Sequence, residues 1–137
     1  MFILVFSLLF VPLGGWQNAV LAQGETWLSV QPTDSSVVEG GTTTVTVDVS
    51  NGNNLNAYDI TIVYNSEILS LTSWSHGTYF SNLAVLINEN QPGRLHLVAT
   101  QLATPGKTGH GTMLTLVFQG VAAGESAVSV QSIQMST

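Results

Sequence analysis

The chain contains no cysteine and very few charged residues, and both absences limit what it can do. Of its 137 residues, two are lysine or arginine, eight are aspartate or glutamate, and none is cysteine. Without cysteine there are no disulfides and no thiol chemistry, so the fold must rest on packing and hydrogen bonds. Nucleic acids and anionic membrane surfaces both attract clustered cations. Arg94 and Lys107 cannot form such a cluster, which excludes both partner classes.

A long hydrophobic run stands at the N-terminus. Residues 2–13 are almost entirely apolar, Gly14 and Gly15 follow, and Val20-Leu21-Ala22 precedes Gln23. The run is shorter than the about 20 apolar residues that a transmembrane helix needs. Small or β-branched residues before a break are typical of a signal-peptidase site. We therefore predict a signal peptide over residues 1–22, a secreted or cell-surface location, and one folded domain over residues 23–137.

The rest of the sequence is typical of a chain of short β-strands. β-Branched and aromatic runs are separated by clusters of Gly, Pro, Asn and Ser, such as Asn51-Gly52-Asn53-Asn54 and Gln91-Pro92-Gly93, and no stretch has helical periodicity. The pattern predicts an all-β fold, a sandwich or barrel of about nine strands. The predicted strands are Thr26–Val30, Ser36–Val38, Thr42–Val49, Ala57–Tyr64, Ile68–Trp74, Leu83–Ile87, Leu95–Thr100, Met113–Phe118 and Ala127–Gln134.

Alternation along the strands separates inward from outward side chains, because successive residues leave opposite faces of a sheet. The predicted outward side chains are short and mostly uncharged, with a single carboxylate among them. Exposed sheet faces usually carry Lys, Glu and Arg, so this composition indicates a surface that a partner covers. The outward residues of three strands are Asp59, Thr61 and Val63; His96, Val98 and Thr100; and Met113 and Thr115.

From about Leu28 to Gln134 the sequence resembles the cohesin domain, the receptor module of cellulosome scaffolds. The segment ending in Tyr64-Asn65 and followed by Ile68-Leu69 resembles the family's third strand. Further segments match family motifs in the family's order, which makes the resemblance more specific than any single turn or strand. They are Val37–Gly41 with Thr44–Val47, Leu55–Asn65, Gly77–Phe80, Gly93–Thr100, Gly109–Phe118 and Ala123–Ser126.

The resemblance implies a β-sandwich with jelly-roll topology that binds a dockerin module of another protein, in extracellular polysaccharide degradation. It places the dockerin on the outer face of the sheet that contains the Asp59 strand. Cellulosomal cohesins carry at the position of Asp59 an Asp that hydrogen-bonds the dockerin, usually with an Asn two residues earlier, where this chain has Ala57. No cofactor is expected on this chain, because the calcium belongs to the dockerin. The predicted partner-binding residues are Asp59, Thr61, Val63, His96, Val98, Thr100, Met113 and Thr115.

Catalytic patterns are weak in this sequence, and we predict that the chain is not an enzyme. A glycosidase needs two carboxylates flanking one bond, and the conceivable pairs among Asp59, Glu67 and Glu89 lack an apparent apolar pocket. No nucleophile-elbow motif is present.

Metal-binding patterns are equally weak. The three histidines are too far apart in sequence to suggest zinc, and His76 and His110 are expected on the surface in turns. His96 lies on the predicted outer face, where it would make partner binding depend on pH. The Asn-rich segment near residue 51 lacks the acidic ligands of a calcium-binding EF-hand, so a plain turn is favoured there.

Two other function classes remain open at this point. Carbohydrate-binding modules share the jelly-roll architecture and stack sugars on coplanar aromatics, so polysaccharide is the alternative partner. Alternation turns Tyr58 and Tyr64 inward, and the outward strand positions offer no such strip. The candidate aromatics are Trp27, Trp74, Tyr58, Tyr64, Tyr79 and Phe80. A structural spacer would need only a charged, unselective outer face, and Val63 and Val98 argue against it.

Overall fold

The computed structural model describes residues 9–13, 26–33, 36–102 and 104–137, and its regular elements there are all β-strands. No helix in these ranges is long and apolar enough to cross a membrane. The predicted all-β class is confirmed. In chain order the strands are β1 (Leu9–Leu13), β2 (Thr26–Pro32), β3 (Thr42–Leu55), β4 (Ala57–Val63), β5 (Leu69–His76), β6 (Leu83–Gln91), β7 (Arg94–Gln101), β8 (Lys107–Gly120) and β9 (Ser129–Ser136).

The strands form two antiparallel sheets that pack as a sandwich. One sheet has the order β1-β2-β3-β8-β5 and the other the order β6-β7-β4-β9. Strands distant in sequence lie side by side, since β3 pairs with β8 and β4 with β9. Two packed antiparallel sheets in which strands distant in sequence are neighbours are typical of a jelly roll, the topology that the family resemblance implies.

Alternate residues of β3, β4, β7 and β8 build the core between the sheets. Burying one such aliphatic side chain contributes about 1.5–3 kcal/mol relative to leaving it in water. Because the chain has no cysteine, this packing replaces covalent cross-links. The fully buried inward residues of four strands are Val45, Val47 and Val49; Tyr58, Ile60 and Ile62; Leu95, Leu97 and Ala99; and Leu114, Leu116 and Phe118.

Two elements near the N-terminus differ from the sequence-based expectation. Leu9–Leu13, inside the predicted signal peptide, pairs with β2 from Leu9↔Val30 to Leu13↔Thr26. The remainder of the predicted signal peptide lies outside the described residues, and its cleavage stays a prediction. The expected strand Ser36–Val38 is reduced to a single bridge at Val38.

The Asn-rich segment lies inside β3, so the prediction of a turn between separate strands was wrong. Pairing with β8 becomes irregular after Val49, with register shifts on both sides of Gly52. Asn51 and Asn54 adopt positive φ angles of 58° and 55°, which Asn tolerates better than most residues. A Cβ atom on Gly52 would lie 1.9 Å from the Tyr79 hydroxyl oxygen, so glycine is required where the bulged strand passes beneath Tyr79.

Candidate functional site

The outer face of the β6-β7-β4-β9 sheet brings together most of the predicted site residues. Side chains that are directly opposite on neighbouring strands share a face, and the register therefore defines the surface. We call this surface the plateau. It comprises Ala57, Asp59, Thr61 and Val63 of β4, Arg94, His96, Val98 and Thr100 of β7, Ala84, Ile87 and Glu89 of β6, and Ser132, Gln134 and Ser136 of β9.

His96 connects two carboxylates across three neighbouring strands of the plateau. Its Nε2 lies 2.9 Å from Oδ1 of Asp59, and its Nδ1 lies 3.3 Å from Oε1 of Glu89. Glu89 is the register partner of His96, and Asp59 is a diagonal neighbour on β4. The exposed fractions are 19% for the His96 side chain, 45% for Asp59 and 58% for Glu89. The histidine is therefore shielded, while a partner can reach both carboxylates.

The two carboxylates favour the protonated form of His96. Hydrogen bonds to Asp59 and then to Glu89 raise the pKa of His96 above its ordinary value, against a smaller opposing effect of desolvation. An imidazolium donates through both ring nitrogens, whereas a neutral imidazole donates through only one. Within the described residues, the ion pairs are these two contacts of His96, so Arg94, on the same face of β7, neutralises neither carboxylate.

Apolar side chains flank this charged group. Ile87 on β6 pairs with Val98, and Val98 pairs with Asp59. Ile87 is 38% exposed, and Leu86, the extra residue of a β-bulge in β6, is 64% exposed. The plateau therefore presents apolar area directly beside a reachable carboxylate.

The predicted threonine contacts on the plateau need one correction. Thr61 points to the outer face but is only 3% exposed. It is short and lies in a central strand, between its register partners His96 and Ser132, so its hydroxyl is not a surface group as predicted. Thr100 is partly buried, and its hydroxyl donates to the backbone carbonyl of Asn56 at 3.5 Å.

Met113 and Thr115 do not belong to the plateau, and their placement beside Asp59 was wrong. Both lie on β8, which belongs to the opposite sheet, where Thr115 is opposite Thr46. Met113 is buried at 1% exposure. The register jumps at this point, so that Met113 is the extra residue of a bulge, and a bulge breaks the inward–outward alternation on which the prediction relied.

Sequence reasoning missed Ile87 and Glu89 as plateau residues. Pro92 and Gly93 form a two-residue connection between β6 and β7, with Gly93 at φ 85°. A Pro-Gly pair with positive φ at the glycine is the signature of a type II turn. Because a two-residue hairpin fixes the register, counting back from this turn would have placed Glu89 opposite His96.

The remaining histidines and aromatics are largely structural. His76 was expected on the surface, yet its Nε2 lies 2.5 Å from the Tyr58 hydroxyl, inside a cluster of rings that includes Trp74 and Phe80. Burial lowers the pKa of His76 and raises that of Tyr58, which favours a hydrogen bond between two neutral groups. Tyr79 and Phe80 are buried and Trp74 packs against the core, so the described residues provide no exposed aromatic strip for sugar stacking.

Among the described residues, no metal site accompanies the plateau. Across the described part of the chain, no three His, Cys, Asp or Glu side chains are grouped so as to hold a metal ion. A shallow groove of about 340 Å³ lies on the opposite sheet, where Asp48 accepts a hydrogen bond of 2.7 Å from Thr112. Its other lining residues include Ser29, Gln31 and His110.

Comparison with known proteins identifies the family. The sequence matches the Cohesin domain family over residues 28–137. The chain therefore belongs to the cohesin domain family. No curated protein matches it in sequence.

Solved structures with a similar fold include several cohesins. A non-cellulosomal cohesin from the hyperthermophilic archaeon Archaeoglobus fulgidus has a TM-score of 0.61 at 15% identity, covering 71% of this chain and 68% of that one. The sixth cohesin of scaffoldin B from Acetivibrio cellulolyticus, in complex with a mutant Cel5 dockerin, has a TM-score of 0.60 at 20% identity, covering 77% and 80%. A type II cohesin–X-dockerin complex from the same organism has a TM-score of 0.63 at 16% identity, covering 75% of each chain. These identities establish the shared fold only.

Proposed function

We propose that this cohesin domain is a non-catalytic recognition module that binds a dockerin-bearing partner protein on the plateau. The observation that carries the proposal is a partly apolar sheet face that no described residue covers, with Asp59 at its centre, in a chain of the cohesin family. Cohesin neighbours solved in complex with dockerins support this partner class. A role in extracellular polysaccharide degradation belongs to the same proposal, as does a secreted or cell-surface location, which the apolar N-terminal run supports.

The plateau would bind as a preformed surface. Its side chains stand on paired strands, so little conformational entropy is lost on docking. Ile87, Val98 and Val63 supply apolar area, and each Å² removed from water contributes about 25 cal/mol. Affinity then depends on how well the polar groups among them are matched.

Asp59 would select among partners. Its Oδ1 accepts from His96, and no described residue donates to its Oδ2. Covering a polar atom without a hydrogen bond costs about 1–3 kcal/mol, and more if it is charged. A partner that buries Asp59 must therefore present a donor to Oδ2, which fixes its position on the sheet.

A glycosidase would be a poor fit to this arrangement. Asp59 and Glu89 both bind the same histidine on an open sheet face, whereas a glycosidase places its two carboxyl groups on either side of a scissile bond. Any calcium requirement is proposed for the dockerin, whose binding would then be lost with a chelator.

Isothermal titration calorimetry of the full chain with a panel of calcium-loaded dockerins, including the Cel5 dockerin, tests the proposal. Asp59→Asn should lower the affinity of a bound dockerin by at least about tenfold. The matched control is Asp48→Asn, which removes a hydrogen-bonded strand carboxylate from the opposite sheet and should leave affinity within about twofold.

The same proteins should be pelleted with insoluble cellulose. Retention on cellulose that Trp74→Ala abolishes at unchanged thermal stability, without dockerin binding, would favour the carbohydrate-binding alternative. Equal losses of affinity in the Asp59 and Asp48 variants would place the interface elsewhere. If no dockerin binds, the proposed partner class is wrong.

A further inference from the structure

Among the residues that the structure describes, His96 is the only group that neutralises the two carboxylates at the centre of the plateau. Asp59 faces its ring from β4 and Glu89 faces it from β6, while Arg94 stands on its own strand without an ion pair in the described structure. Lys107, the other cation of the chain, begins β8 in the opposite sheet. In the described structure the Asp59–Glu89 pair therefore has one counter-ion, and the net charge of this group of three side chains depends on the proton of His96.

When His96 loses that proton, one of the two carboxylates loses its hydrogen-bond donor. Neutral His96 can donate to Asp59 or to Glu89 but not to both. The unsatisfied carboxylate then faces solvent, since both carboxylate side chains are about half exposed. An ammonium or guanidinium group from another molecule has the charge and the N–H donors to replace the missing contact. An anionic partner would instead be repelled by the whole chain, which carries a net charge of −6.

We propose that Asp59, His96 and Glu89 form a proton-linked selectivity element, in which a lysine or arginine side chain of the docking partner binds the two carboxylates in exchange for the proton on His96. The inference rests on the proposed function, since it concerns the same surface. It adds the chemical class of the partner side chain that contacts the carboxylates, and the dependence of docking on pH. Protonated His96 competes with the partner's cation, and neutral His96 does not.

The exchange fixes the direction of the pH dependence. The free plateau binds more protons than the complex, because the incoming cation disfavours protonation of His96. Docking therefore strengthens as the pH rises, across the interval between the pKa of His96 in the complex and its raised pKa in the free protein. Exchange of a single proton limits the effect to about tenfold in affinity per pH unit.

Nuclear magnetic resonance tests the exchange without a natural partner. The ring signals of His96 in the full chain are titrated alone, with a short oligolysine peptide, and with an uncharged oligoglutamine peptide. Oligolysine should lower the titration midpoint of His96 by about half a pH unit or more, and oligoglutamine should not. His110, which is exposed and has no ion pair in the described structure, serves as the internal reference.

Several results of this titration would overturn the inference. The first is an unchanged titration midpoint of His96 at saturating oligolysine. The second is an equal shift in the titration midpoints of His96 and His110. The third is binding of oligolysine to an Asp59→Asn/Glu89→Gln double variant as strongly as to the unmodified chain. The last two would mean a general response to net charge rather than a site.

Two variants test the inference with any dockerin that binds. His96→Gln removes the competing charge, so affinity should stay high and independent of pH. His96→Lys supplies a permanent internal cation, so affinity should stay low at every pH. Docking by the unmodified chain without this pH dependence would refute the proton exchange and leave the proposed function intact. If no dockerin binds, the proposed function is refuted. The oligolysine titration still tests whether a cation displaces the proton of His96.

Discussion

Nε2 of His96 on β7 lies 2.9 Å from Oδ1 of Asp59 on β4, so a neighbouring strand sets the electrostatic state of the central plateau carboxylate. Asp59 is neither a free surface charge nor a core group. It is half exposed and paired within its own chain, which allows a second molecule to compete for it. Protonation of His96 should therefore stabilise the fold and weaken docking.

Replacing His96 by Gln should reduce stability in acid more than in base. The folded-state pKa of His96 is raised, so its contribution is fully present below the unfolded value of about 6.5. It is lost as the pH rises through the folded pKa. Because both carboxylates are more than a third exposed, the difference in unfolding free energy should stay below about 1 kcal/mol. Urea denaturation from pH 5.5 to 9 measures it, and a difference that grows toward high pH would contradict the pairing.

Leu97→Ala should destabilise the fold strongly, because Leu97 is fully buried at the centre of β7. Truncating a buried leucine leaves a cavity and costs about 2–5 kcal/mol. Leu102→Ala, at a leucine that is 63% exposed just beyond the same strand, should change the unfolding free energy by less than about 0.5 kcal/mol. Equal effects in urea denaturation would mean that the predicted inward face of β7 is wrong.

Tyr58→Phe removes the hydroxyl that contacts His76 Nε2 at 2.5 Å. Loss of this hydrogen bond inside the aromatic cluster should cost about 1 kcal/mol of unfolding free energy. Tyr64→Phe is the matched control, since Tyr64 packs on Phe118 with no hydrogen bond from its hydroxyl in the described structure. Differential scanning calorimetry of both variants tests this, and a larger effect at Tyr64 would contradict a structural role for the Tyr58–His76 contact.

Gly77→Ala should be among the most damaging small substitutions. A Cβ atom at this position would lie 2.2 Å from the backbone oxygen of Thr112, and backbone cannot move aside as a flexible side chain can. Overpacking of this kind costs about 1–3 kcal/mol. Ser75→Ala, at an exposed site on the adjoining strand β5, should be close to neutral. A wild-type melting temperature for Gly77→Ala would show that β5 and β8 separate here more than described.

Much of the fold could be predicted because alternation is a local signal. The inward valines of β3 and the inward leucines of β7 followed directly from it. Its failures were of two kinds. A bulge at Met113 inserts a residue and reverses the faces locally, and the sequence does not mark it. The sheet to which β8 belongs depends on pairing with β3, distant in sequence, which alternation within a strand does not encode.

Alternation predicted most of the plateau residues of β4 and β7, but which residues lie opposite each other was predictable only where a turn fixed the register. Glu89 could have been placed opposite His96 from the Pro92-Gly93 turn alone. The burial of Thr61 could not have been predicted from the sequence, because it depends on neighbouring side chains in β7 and β9. Residues on the correct face were identified one strand at a time, and only the assembled sheet shows which of them lie together.

The two-residue connection between β6 and β7 makes the set of β6 residues on the plateau sensitive to a change in loop length. Because the turn holds Glu89 opposite His96, a one-residue insertion or deletion that shifts β6 by one position would bring Asn88 or Asn90 to that place and turn Glu89 to the other face. The strand would survive with its backbone pairing. A lineage of such domains could thus lose or regain the acidic group, and exchange one class of partner for another, through a change in loop length with no substitution in the core.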